Sequence, residues 1–232
     1  MVETTPEKAT TKDEIIEKLD SPKLSAENVG EFYNEIDPDG YDEFVKAIKY
    51  TEPEHLVKLI GNGCVVDIDP ASEILDVAAG TGHIGILLKE KGFTNIMGVD
   101  ASDNLLVKLM QTGAYKDSRC VFLGLGLDKW PEDLKNRFDM VTASGCFMSG
   151  HIPNAGFDDI HASLKTGGFF VASMRSTYWT DGKFKDKTEE MTASGQFKMV
   201  HTTTYLRDEW RPKNDEKDQK IESTLLVLQK LN

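Results

Sequence analysis

The sequence predicts an α/β protein built on a doubly wound, mostly parallel sheet with helices on both faces. Three observations predict it. From residue 73 onward, short unbroken apolar runs alternate with amphipathic stretches. Strands that do not alternate are buried on both faces, the mark of a parallel sheet covered by helices. The first such run, "ILDVAAGTGHIG" over Ile74–Gly85, holds an acid and then Gly80, Gly82 and Gly85, the pattern of a strand turning tightly into a helix. The chain closes on two alternating runs, "QFKMVHTTTYLR" and "KIESTLLVLQKL", around the charged loop "DEWRPKNDEKDQ". These read as an antiparallel hairpin closing the sheet edge.

The elements follow in order. Residues 1–24 are polar, contain Pro6 and Pro22, and read as a tail with one weak helix around Lys12–Leu19. Residues 25–70 carry three helical patterns. Ser25–Ile36 has Val29, Phe32, Tyr33 and Ile36 at helical spacing; Tyr41–Tyr50 has Phe44, Val45 and Ile48; Thr51–Ile60 has a Thr cap, Pro53 in its first turn and a stop at "GNG". In residues 71–232, "EILDVA", "NIMGVD", "CVFLGL", "FDMVTAS" and "FFVASM" read as strands. Between them run helices over His83–Lys91, Asp103–Gln111 and Phe157–Leu164, the first two ending at Gly92 and Gly113, the third running on to Gly167-Gly168. Lys185–Ser194 adds a helix before the hairpin.

Composition narrows the function classes. At 232 residues the chain is one domain with appendages. Cys64, Cys120 and Cys146 are odd in number and widely spaced, so neither a disulfide framework nor a zinc site is expected, and no metal is assigned. The first twenty residues mix both charges and lack an apolar segment. That points to the cytoplasm or nucleus and away from a leader or a membrane partner. A formal net charge of −12 repels phosphate backbones, so no nucleic-acid partner is expected.

The glycine turn carries the chemistry. Glycines let a ligand touch the backbone, and the helix starting near His83 aims free N–H groups at it. Asp100 ends the second strand, twenty residues after Gly80, where an acid can accept hydrogen bonds from a vicinal diol. This spacing suits NAD(P) and other adenosine cofactors alike. Asp76 sits within the first strand, where a dinucleotide site is usually apolar; a buried acid there needs partners, either turn amides or a ligand's ammonium group.

At these residues the chain resembles the class I S-adenosylmethionine (SAM) methyltransferases. "ILDVAAGTGHIG", "NIMGVDAS", "FDMVTASGCF" and "LKTGGFFVASM" appear in the family's order, and the likeness covers about residues 25–232. Within the superfamily it is most similar to the small methyltransferase-like proteins of the Williams–Beuren region, through "GFTNIMGVDAS", "FDMVTASGCFMSGHIP" and "LKTGGFFVASMRS". The resemblance implies a seven-stranded sheet of order 3-2-1-4-5-7-6 with strand 7 antiparallel, a helical lid over residues 25–70, and SAM as methyl donor. It implies Asp76 near the donor's amino group, with Ala78, Ala79, Gly80, Thr81 and Gly82 along the methionine part. Asp100 would hold the ribose, with Ala101 and Ser102 beside the adenine. Leu125, Gly126 and Leu127 stand where family members often place an acid, and Asp128 follows. Ala143, Ser144 and Gly145 would pass under the methionine end. Tyr33 and Tyr41 match the paired tyrosines of such lids.

Methyl transfer needs alignment, exclusion of water and, for a protic acceptor, a base. His151, just past the fourth strand, is the candidate base, because imidazole titrates near neutrality. His83 reads as a packing residue near the donor, Cys146 as a buried thiol, and Arg175, Tyr178 and Trp179 as candidates for the acceptor wall. The expected activity is in-line transfer of a methyl group from SAM to a small molecule. A SAM-binding protein without turnover and an NAD(P) oxidoreductase are the alternatives.

Overall fold

A computed structural model of the chain describes residues 11, 14, 15, 25, 28–148, 150–209 and 219–232. The helix expected around Lys12–Leu19 and the loop of the terminal hairpin lie largely outside these. Of the tail, Ile15 is fully buried, in one cluster with Ile36, Phe44 and Val45, so this part packs more than its polar sequence suggests.

Three short helices precede the sheet: α1 (Val29–Asn34), α2 (Pro38–Ala47) and α3 (Glu52–Val57). Helix α2 starts earlier than its apolar spacing indicates. Asp37 caps it, accepting from Gly40 N at 2.9 Å, and Pro38 occupies its first turn, where no N–H is missed.

The sheet comprises β1 (Ile74–Val77), β2 (Ile96–Asp100), β3 (Asp117–Cys120), β4 (Phe138–Ser144), β5 (Leu164–Arg175), β6 (Phe197–Glu209) and β7 (Gln219–Lys230). Its order is β3-β2-β1-β4-β5-β7-β6. Strands β1 to β5 pair in parallel and β7 runs antiparallel to both β5 and β6. This is the topology that the resemblance implied. The strand order switches sides between β1 and β4, which remain parallel, so a ligand crevice opens at their carboxyl ends. Helices α4 (His83–Glu90), α5 (Asp103–Gln111), α6 (Gly156–Ser163), α7 (Ser176–Asp181) and α8 (Phe184–Ala193) complete the fold.

Alternate residues of each strand feed opposite faces. Leu75, Val77, Val141, Ala143 and Ala172 join one buried cluster; Ile74, Ile96, Met140 and Val171 join the other. Two cores on two faces explain why the strands read as unbroken apolar runs.

Two boundaries differ from the sequence reading. "CVFLGL" is not the third strand; β3 ends at Cys120, and the chain then turns away through Gly124 and Gly126, both at positive φ. Gly167 and Gly168 lie inside β5, not before it. Phe138 pairs with Leu164 and Met140 with Phe169, so the glycines sit in a bulge, Gly167 at φ +85°.

Candidate active site

The loop from β1 to α4 is held by two buried carboxylates. Asp100 is 7% exposed and accepts from Gly80 N and Ser102 N, each at 2.9 Å. It therefore ties the glycine turn to the end of β2. Burial pushes its carboxyl up, and the amides of Gly80, Ser102 and Ala101 oppose this. Asp76 is 1% exposed; Tyr115 donates its hydroxyl to one oxygen at 2.7 Å and Thr142 to the other at 2.8 Å. Burial pushes this carboxyl up to about 7, with the two hydroxyl donors pulling the other way. Of the two kinds of partner weighed for Asp76, the turn amide of Gly80 is held by Asp100 instead.

Sequence reasoning missed Tyr115. Its hydroxyl also accepts from Gly85 N at 2.9 Å, and a Cβ on Gly85 would stand 2.3 Å from its ring. The third glycine of the motif therefore makes room for the tyrosine that orients Asp76. The glycine spacing was the only local signal, and it did not say what fills the space.

A cavity opens beside the loop, about 380 Å³ with its mouth included. Asp76, Ala78, Ala79, Gly80, Thr81, His83 and Ser144 line it, and Tyr41 and Tyr50 roof it. Thr81 Oγ1 is buried without a hydrogen-bond partner among the described residues. His83 Nε2 stands 3.6 Å from Asp42 Oδ1 at this rim. Tyr50, also missed, bonds Ser144 Oγ at 2.9 Å, and Gly145 is bare because a Cβ there would meet the Tyr50 hydroxyl at 2.1 Å.

The N-terminal helices close over Asp100. Asn34 Oδ1 accepts from Ser102 Oγ at 2.7 Å and from Asn104 N at 3.1 Å, and Asn104 donates to the Ile36 carbonyl at 2.7 Å. Lys108 pairs with Asp39. A Cβ on Gly30 would stand 2.3 Å from the Ala101 carbonyl oxygen, so α1 rests directly on the end of β2. Tyr33 and Tyr41 meet edge to face at 6.0 Å, and both feel the charge of Asp100. Tyr33 also bonds His151 Nε2 at 2.8 Å.

Some expected residues are placed otherwise. Ser102 is fully buried, its oxygen capping α5 through Leu105 N at 3.2 Å and donating to Asn34, so its hydroxyl is already used. Leu127 is 45% exposed. Arg175 stacks on Tyr178, and Trp179 packs on the core rather than lining the cavity. The wall behind Tyr50 is instead a buried ion pair: Glu52 Oε1 takes Arg207 Nη2 at 3.1 Å, and Arg207 lies over the Tyr50 ring at 5.7 Å.

Residues 74–168 match the family model described as a methyltransferase domain. Methyltransferase-like protein 27 of Homo sapiens is 30% identical over 149 residues, which cover 62% of this chain and 57% of that protein. The chain thus spans a little over half the length of the curated relative it matches. A chain from the complex between the Haloferax volcanii Trm112 methyltransferase activator and a candidate methyltransferase shares the fold at TM-score 0.59 and 13% identity, over 83% of this chain and 93% of that one. A candidate S-adenosylmethionine-dependent methyltransferase of Listeria monocytogenes does so at 0.55 and 13%, over 79% and 100%. Over residues 74–168 the chain is similar to a methyltransferase domain, and its sheet order and fold are shared with the class I methyltransferase structures.

Proposed function

We propose that the chain transfers a methyl group from SAM to a small-molecule acceptor by in-line displacement. The observation that carries this reading is the cavity at the β1/β4 crevice, with a glycine loop for its floor, Asp76 inside it and Asp100 beside it. The residues present fit the donor. Thr81 Oγ1 needs a partner, the first turn of α4 offers free N–H groups to a carboxylate, and Asp76 suits an ammonium group. Asp100 keeps lone pairs for a ribose diol beyond the two amides it accepts. When bound, SAM supplies a carbon already activated by its sulfonium. The protein's part is then to align the acceptor and exclude water; Tyr41 and Tyr50 do the latter as the roof. The net charge of −12 favours a small acceptor over a polyanion.

Calorimetry with SAM, S-adenosylhomocysteine and NADH tests the donor. Binding of the first two and not the third is expected; binding of NADH alone overturns the reading. Radiolabelled SAM with a deproteinised small-molecule extract then tests transfer. Binding without transfer would leave a SAM-binding protein that does not turn over.

Two outcomes follow from the site's geometry. A cation beside Asp76 favours its ionised form, so SAM binding should release a proton. With the carboxyl near 7, release approaches about one proton below pH 6 and fades above pH 8. Titrations in buffers of different ionisation enthalpy measure it, and Asp76→Asn should abolish it. Gly30→Val places a side chain against the Ala101 carbonyl. Its overpacking, about 1–3 kcal/mol, should fall on the lid alone. Stopped-flow measurements should show S-adenosylhomocysteine leaving roughly 5- to 150-fold faster.

A further inference from the structure

We infer that Tyr33 is the catalytic residue that receives the acceptor's proton, with His151 as the positioning residue that draws Tyr33's own proton away. The inference rests on the methyl-transfer reading and names the acceptor class: a protic nucleophile, that is an amine, alcohol or phenol, rather than an acceptor with no proton to lose.

The pair is built across the fold. Tyr33 comes from α1 and His151 from the segment after β4, yet Tyr33 Oη and His151 Nε2 are 2.8 Å apart, with rings edge to face at 5.6 Å. His151 is 8% exposed, and the hydroxyl of Tyr33 occupies its Nε2. An acceptor that is to use this nitrogen must therefore work through the phenol. Tyr33 is half-buried and more accessible. Its ring meets Tyr41 of α2 edge to face at 6.0 Å, Tyr41 in turn lines the cavity, and Asp100 and Cys146 act on Tyr33 electrostatically.

The relay sets the direction of the bond. Burial, with the Asp100 carboxylate adding to it, holds the phenol well above its usual range, so Tyr33 keeps its proton, and the relay has it donate to an Nε2 that carries none. A phenol that keeps its proton is no base alone. It becomes one when its proton passes to the imidazole as another arrives. The other candidate bases have other roles in this reading: His83 Nε2 lies 3.6 Å from the Asp42 carboxylate, Asp76 and Asp100 serve the donor, and burial pushes the Cys146 thiol up.

The step balances. As the acceptor's lone pair forms its bond to the methyl carbon, the electron pair of the broken carbon–sulfur bond stays on sulfur. The acceptor's proton passes to Tyr33 Oη, Tyr33's proton passes to His151 Nε2, and the positive charge ends on the imidazolium.

Imidazole-labelled ¹⁵N NMR of the full chain tests the bond without an acceptor, His151→Gln assigning the signal. Above its titration, His151 should show an unprotonated, hydrogen-bonded Nε2. Tyr33→Phe keeps the ring packing but removes the donor that favours neutral imidazole, so His151 should titrate at higher pH. In the extract assay, Tyr33→Phe and His151→Gln should each lower kcat by at least about a hundredfold. The double variant should be no worse than either, and the rise of kcat with pH should vanish in Tyr33→Phe. A protonated Nε2 above the titration, an unmoved titration in Tyr33→Phe, or wild-type turnover by that variant would overturn the relay. SAM that fails to bind, or binds without transfer while the NMR signature stands, overturns the methyl-transfer reading and the relay's role, leaving the hydrogen bond as packing.

Discussion

Asp100→Ala is expected to weaken SAM binding by about 1.5–3 kcal/mol, roughly 10- to 150-fold in Kd. The carboxylate joins two backbone segments, accepting Gly80 N and Ser102 N at 2.9 Å each. Its removal orphans both amides and takes away the acceptor proposed for the ribose diol. Asp100→Asn should do little better. Its NH₂ must point at one of two N–H donors, so one pairing becomes a donor facing a donor. Calorimetry with S-adenosylhomocysteine gives the comparison without turnover. An unchanged affinity in Asp100→Ala would take this residue out of the donor site.

Arg207→Met is expected to cost about 3–5 kcal/mol of stability at pH 8, since it strands a buried carboxylate. For a chain of this size that is roughly 6–20 °C in Tm. Glu52 is 1% exposed, and its Oε1 is held by Arg207 and by Ser223 Oγ at 3.1 Å. Its Oε2 has no partner among the described residues. Burial raises the Glu52 carboxyl above its usual value while Arg207 opposes that rise. A raised carboxyl contributes stability that is lost as pH rises through its folded value. The variant removes the opposing charge, so its deficit should shrink as pH falls and Glu52 takes up a proton. Glu52→Met with Arg207→Met should recover most of the loss, because an apolar pair of similar volume carries no desolvation cost. Thermal unfolding at pH 5 and pH 8 checks all three. Because Arg207 backs the Tyr50 ring, donor binding in the single variant should fall as well.

The elements legible in the sequence were those whose signals are local. Helix α5 was read to the residue, because the Ser102 cap and its apolar period sit side by side. The start of α2 lies ahead of its first apolar residue, because Asp37 before Pro38 opens a helix that the apolar period does not mark. The third strand was placed too late. Val121 and Leu123 are apolar because they are buried, not because they pair in the sheet. In the site, Asp100 and Gly80 stood out by spacing, but their mutual hydrogen bond was not part of that reading. Tyr50, Tyr115 and Asn34 carry no local mark. Their partners are Ser144, Asp76 and Ser102, reached only by folding.

The sequence alone determined the alternation of strand and helix through the parallel part of the sheet, the glycine turn and the two acids flanking it. Apolar period and chain-local spacing encode such features directly. Only the tertiary structure decided what those acids touch, which tyrosines roof the cavity and where His151 finds its partner. A hydrogen bond is decided within a few tenths of an ångström, by side chains that packing brings together from distant parts of the chain.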